Sequence, residues 1–260
     1  MYPPQIAEIL LSALRQFFLF AALLWPIELL FPAQPKQRLF RRGLTTDLLY
    51  FFLNSVLLSF GLSLVIGVLN AGQNWLIPQS VLSVLRSQPF WIRTLGALLC
   101  AELLAHIVHL LCHEVPFLWR LHRIHHSSAE LDFIAAHRQH PLEALLLLTA
   151  ANIPVLVLGL HSESLLIIIL LQKFHTAFVH SNTRISFGRL SLLLASPQFH
   201  HLHHDACSAA PGCNFSSLLP IFDWLCGTYR KPPKKFPTCY GVADAIPSGY
   251  WKQCLSPLRS

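Results

Sequence analysis

No charged side chain interrupts Leu48–Leu69. Wound as a helix, that stretch exceeds the roughly 20 residues needed to cross a hydrocarbon core. A segment so uniformly apolar offers water no polar face, so the elements around it must also be built for lipid. Ile6–Leu30 reaches the same length, interrupted by Glu8, Arg15 and Glu28, and Trp91–Leu111 follows with Arg93 at its entrance and Glu102, His106 and His109 toward its exit. Leu142–Leu160 and Leu165–Val179 are shorter and are separated by the connection around His161–Glu163. They read as a helical hairpin that either just spans or dips in and returns. Of the 260 residues, 53% are hydrophobic and 12% charged, the charged share being about half that of a soluble chain. A buried helix pair in a soluble domain would lack the polar surface to cover it. The expected fold is therefore all-α, a multi-pass transmembrane helical bundle.

Basic residues set the expected orientation. Lys36, Arg38, Arg41 and Arg42 follow the first span, Arg86 follows the second, and Arg120, Arg123 and Arg138 follow the third. Arg230, Lys231, Lys234 and Lys235 lie near the C-terminus. An N-terminus outside, three crossings, a hairpin and a cytoplasmic C-terminus satisfy all of these. The first segment lacks a positive start and a small-residue cleavage site, so it reads as a retained span rather than a signal peptide. The net charge of +7 belongs to these loops and suits anionic headgroups. No basic, aromatic-interleaved surface for nucleic acid is visible. Seven cysteines without a Cys-x2-Cys pair suggest reduced thiols, with Cys207 and Cys213 as weak candidates for soft metal ligands.

All fifteen histidines lie between His106 and His204, and eight form three tight clusters: His109-x3-His113, His122-x2-His125-His126 and His200-x2-His203-His204. Imidazole is the commonest protein metal ligand, and eight at ligand spacing are too many for one ion. His109 and His113 share a helix face. In each later cluster the first two histidines stand one turn apart, and the adjacent third points about 100° away. Two such patterns, separated by a hairpin, can surround a pair of ions from opposite sides. Interfacial histidines without a metal would cost repulsion and desolvation for no gain.

The motifs around the clusters carry a resemblance. Val115-Pro116-Phe117-Leu118-Trp119-Arg120-Leu121-His122-Arg123-Ile124-His125-His126-Ser127-Ser128 and Arg138-Gln139-His140-Pro141-Leu142-Glu143 are followed by His180-Ser181-Asn182 and Ser196-Pro197. The third cluster, Asn214, Asp223-Trp224 and Gly227-Thr228-Tyr229 complete the order. Over roughly Glu102–Tyr229 the chain resembles the fatty acid hydroxylase/sterol desaturase superfamily of integral-membrane di-iron oxidoreductases. It departs from the pattern at Glu102, His106-Ile107, Leu110, Ser216 and Cys226, none of them a cluster histidine. The resemblance implies two iron ions, held by His109, His113, His122, His125, His126, His200, His203 and His204, with His180 as a ninth ligand. That set divides into four or five donors per iron. His140 reads as either a ligand or a helix cap beside Pro141, and His137 is a weaker candidate ligand. His106 and His175 read as facing the site or occupying helix ends, His201 as a tolerated polar position, and His161 as structural. Asp132, Glu114, Glu143, Asp205 and Asp223 read as partners that orient imidazoles or as solvated and capping carboxylates.

These features predict one membrane domain over residues 1–260. Transmembrane helices fill 1–101, a catalytic region with a cytoplasmic di-iron cap fills 102–230, and a cytoplasmic tail occupies 231–260. The implied activity is hydroxylation or desaturation of a sterol-type or fatty acyl lipid, using oxygen and two electrons. No haem, flavin or iron–sulfur motif is present, so a separate ferredoxin or cytochrome b5 type of protein is the expected donor. The run Arg230–Lys235 reads as its docking surface or as a solvated, lipid-facing tail. The inner membrane is the expected location in a bacterial cell. A zinc-dependent membrane hydrolase or a histidine-rich metal transporter is the alternative; a transporter would place its ligands near the bilayer midplane.

Overall fold

A computed structural model describes residues 5–76, 78–157, 162–207 and 212–258; His161 lies outside them. The helices are α1 (Ile6–Leu30), α2 (Leu44–Leu76), α3 (Gln79–Ser87), α4 (Phe90–Glu114), α5 (Pro116–His126), α6 (Pro141–Val157), α7 (Ser162–His180), α8 (Pro197–His203), α9 (Ile221–Cys226) and α10 (Tyr250–Leu255). There is no strand among the described residues. Helices α1, α2 and α4 are each long and apolar enough to cross a membrane, and α6 and α7 form the shorter apolar pair.

The surface is inverted relative to a soluble protein. Phe18, Leu64, Val68, Trp91 and Leu95 are exposed, whereas Asp47, Glu102, His106, His122 and Glu143 are buried. Apolar side chains outside and paired polar groups inside suit a hydrocarbon solvent. Helix α6 packs against both α2 and α4, while α5 packs on α4 and α8 on α7. Phe20, Ala21 and Leu24 of α1 meet Phe133, Ile134 and Ala177 in the main apolar core.

Helix α2 starts four residues before the expected span because Asp47 is an interior residue. Its carboxylate pairs with Arg41 Nη2 at 2.7 Å and with Arg138 Nε. Arg41 also forks onto Asp132 at 2.6 and 2.7 Å, and Asp132 accepts the amides of Ile134 and Ala135. Gly43 turns the chain into α2 with φ +83°, and a Cβ there would strike the Arg138 guanidinium. The network ties the α1–α2 loop to the segment after α5.

Prolines aim the histidine helices. Val115 is extended (φ −92°, ψ 117°) and Pro116 opens α5. Proline disfavours helical geometry in the residue before it yet suits the first turn of a new helix. The chain therefore turns after α4 and lays the second cluster over the first. Pro197 repeats the device for α8, where the Ser196 side chain caps the Phe199 amide. The C-terminal segment is packed: the Tyr250 ring lies 4.6 Å from Tyr50, and its hydroxyl donates to Asn54.

Two expectations change. Cys207 and Cys239 form a disulfide with Cα atoms 5.8 Å apart, so these two thiols are not free. Their spacing of 32 residues hid a pairing made by tertiary contact, where Ala206 N donates to Cys239 O. His106 and His175 do not end helices; they lie inside α4 and α7.

Candidate metal centre

The structure gathers nine histidines into two adjoining groups. His109, His113, His122, His126 and His203 form one, and His125, His180, His200 and His204 the other. Within each group the candidate ligand atoms all lie within 4.8 Å of one another. The groups abut, with the His126 and His204 rings stacked at 4.3 Å. The division crosses the sequence clusters. His122 and His126 stay together while His125 goes to the other side; His200 and His204 stay together while His203 crosses. In the two later clusters the first and third histidines, four residues apart, share a group, and the second one faces the other. Residues four apart on a 3.6-residue turn differ by about 40° in azimuth and residues three apart by about 60°.

Five rings are held from behind. Nδ1 of His109 meets Phe215 O at 2.6 Å, His125 meets Arg138 O at 3.2 Å, His180 meets Thr176 O at 2.7 Å and His203 meets Cys213 O at 2.8 Å. His122 Nδ1 meets Glu143 Oε1 at 2.7 Å. A carbonyl can only accept, so Nδ1 of His109, His125, His180 and His203 carries the proton and Nε2 keeps its lone pair; Glu143, when ionised, does the same for His122. Burial holds His122 and His125 neutral, well below the ordinary imidazole range, and pushes His203 down to about 4.

The lone pairs then point at one another. Nε2 atoms of His109 and His122 are 3.2 Å apart, and those of His125 and His180 are 3.0 Å apart. Neither pair has a proton to share, so the contacts are repulsive unless a cation lies between them. Donors about 2.1 Å from one ion would stand roughly 3.0 Å apart at right angles. The separations His126–His122, His200–His180 and His204–His200, at 3.0–3.2 Å, fit the same spacing. Nε2 of His113 and of His203 is buried without a partner. The donor set fits two metal ions.

Of the carboxylates, Glu143 orients a ring directly. Asp223 acts one step removed: it accepts the amides of Phe215 and Ser216 at 2.7 and 2.8 Å, steadying the loop whose carbonyl holds His109. Asp132 serves the arginine network, Asp205 accepts the Cys207 amide, and Glu114 is exposed. His140 accepts the Leu142 amide through Nδ1 and caps α6. Its Nε2 meets Cys254 O. His201 bridges Tyr240 and Ser181 O. Cys213 contributes its carbonyl, and neither it nor Cys207 joins a metal group. His106 contacts Ser216 Oγ at 3.0 Å, so two of the departures from the family pattern are packed together. Asn214, with φ 59°, fastens Phe199 O and Arg230 to the same loop.

A cavity of about 280 Å³ runs from His109, His122, His125, His180 and His200 to Leu58, Leu62, Leu147, Leu148, Ala151 and Ile169. It lies among α2, α4, α6 and α7, and the histidines form one end wall. Sequence reasoning missed the carbonyls that hold the rings, since any residue supplies one. It also missed Lys173, Gln172 and Gln16 on the cavity wall; a lysine inside the apolar run Leu165–Val179 was the available signal.

The family model described as Fatty acid hydroxylase matches residues 94–228, more than half of the chain. The chain belongs to the fatty acid hydroxylase family. It is 30% identical to the ornithine lipid hydroxylase OlsE of Rhizobium tropici, over 65% of this chain and 51% of that protein. It is 29% identical to the alkylglycerol monooxygenase of Homo sapiens, over 53% of this chain and 30% of that protein. With the cholesterol 25-hydroxylase of Rattus norvegicus it shares 26% identity, over 58% of this chain and 50% of that protein. These alignments span about half or less of each relative's length. No solved structure matches the chain.

Proposed function

We propose that this protein is a membrane-bound di-iron oxygenase that hydroxylates a lipid, with electrons from a separate donor protein. The observation that carries the reading is the convergence of nine histidines, five of them held from behind at Nδ1, into groups of five and four beside an apolar cavity. The five-histidine group exceeds the four donors at which structural zinc closes. Such sets suit a redox metal with positions left open. Iron, when bound, would supply oxygen activation against an unactivated C–H bond. The protein's own part is to hold each Nε2 unprotonated, fix its direction through Phe215 O, Arg138 O, Thr176 O, Cys213 O and Glu143, and keep water away with Leu147, Leu148, Ala151 and Ile169. Placement of the reacting carbon within an ångström then decides the product. The relatives are named as hydroxylases or monooxygenases of lipids, which favours hydroxylation over desaturation.

The ligand groups sit at the ends of α4, α5, α7 and α8, at one face of the bundle, unlike a transporter's midplane site. The distribution of basic residues supports placing that face in the cytoplasm. Arg230, Lys231, Lys234 and Lys235 are exposed there and would suit an acidic ferredoxin or cytochrome b5 type of donor. The test is turnover of membrane lipid by purified, iron-loaded protein with a reductant under isotopically labelled oxygen. Label appearing in a lipid hydroxyl supports the reading; oxygen-independent hydrolysis by a zinc-loaded form overturns it.

A further inference from the structure

The cavity holds a polar group that the metal centre does not use. Lys173 lies well inside α7 and lines the cavity. It has no hydrogen-bond or ion-pair partner among the described residues. Of the acids on the cavity walls, Glu102 is engaged by Gln172 and the Leu218 amide, and Glu8 lies on the second cavity described below. Two further nitrogens on the same wall are buried without partners, Gln16 Nε2 and His137 Nε2. Lys173 stands close enough for its charge to oppose a proton on His137, which burial already keeps neutral. Gln16, Ser55, Ser59 and Lys173 also border a second cavity of about 260 Å³ that reaches Glu8 and Ser12 on α1.

Ionisable groups inside membrane helices are rare and mark ligand paths. A lysine serving only as a snorkelling side chain would place its ammonium in the headgroup region, whereas this one faces an internal cavity. Lys173 precedes His180 by seven residues, about 10 Å along the helix axis. An unpaired lysine amine with two orphan nitrogens at one end, apolar walls between, and imidazoles at the other end make a site with distinct poles.

We propose that this cavity selects a lipid bearing an anionic group, a carboxylate or a phosphate, which Lys173, Gln16 and His137 receive at a distance from the metal centre. The proposal deepens the oxygenase reading by naming its substrate class, and its test is a binding measurement that does not need turnover. Anchoring at Lys173 would hold the oxidised carbon on the order of 10 Å from the charged end.

Purified full-length, iron-loaded protein in phosphatidylcholine nanodiscs is titrated without reductant against palmitate, hexadecyl phosphate and hexadecanol. At least one anion is expected to bind 10-fold or more tightly than the alcohol, and which one does so separates a carboxylate from a phosphate ligand. K173M should bring that anion to the alcohol's affinity, K173R should retain most of the preference, and iron content should stay unchanged in both. If K173M fails to assemble, Q16L and H137F carry the same test, each expected to lower anion affinity several-fold. Equal affinity for alcohol and anions, or a preference that survives every folded variant, overturns the anion site. Anion binding that persists in a protein unable to oxidise any lipid would instead sink the oxygenase reading and leave the site standing.

Discussion

Replacing Glu143 with Gln isolates the contribution of one carboxylate to the metal centre. Glu143 is buried, and its Oε1 lies 2.7 Å from His122 Nδ1. The amide keeps the shape and an acceptor oxygen but cannot carry the negative charge that a bound metal ion would stabilise on this buried carboxylate. A hydrogen bond to a charged partner contributes about 1.5–3 kcal/mol and a neutral one about 0.5–1.5. The difference, roughly 1–1.5 kcal/mol, is about a tenfold change in equilibrium. Losing an outer partner of a ligating histidine commonly lowers metal affinity by about 10–100-fold. Glu143→Gln should therefore weaken iron at the five-histidine group by at least about tenfold and leave the four-histidine group nearly unchanged, because His122 belongs to the former. Competition against a chromophoric chelator should turn one release phase into two, while the melting temperature of the metal-free protein holds steady. Unchanged affinity, or equal weakening of both phases, would refute the assignment of Glu143 to His122.

Further outcomes follow from other parts of the fold. Asp47→Asn strips a buried partner from both Arg41 and Arg138 and should cost about 3–5 kcal/mol of stability, read as a lower unfolding temperature in detergent; a shift of less than a degree would contradict the network. Ala151→Trp fills the cavity from α6, so lipid turnover should fall at least tenfold with full iron content; normal turnover would show that substrate travels elsewhere.

The long spans were legible because lipid imposes length and composition directly. Ile6–Leu30 coincides with α1, and the apolar hairpin segments match α6 and α7 within a few residues. The start of α2 was not legible, because Asp47 looks like a boundary until Arg41 and Arg138 arrive from distant positions. The nine histidines could be gathered from their spacing and motifs, but their partition could not. Which neighbour shares an ion depends on azimuth and on the turn at Pro116. The cage behind them is largely backbone carbonyl, which has no sequence signature. The pairing of Cys207 with Cys239 and the orphaned state of Lys173 are likewise products of chain folding.

The central claim is that two imidazole groups each hold an iron ion. Metal content and Mössbauer spectra of protein grown on iron-57 test it directly, with single replacements in each group. The parent protein should carry about two irons per chain, falling to about one in both His113→Ala and His200→Ala, with the surviving signal differing between them. A single iron in the parent protein, zinc in place of iron, or full occupancy in both variants would contradict it.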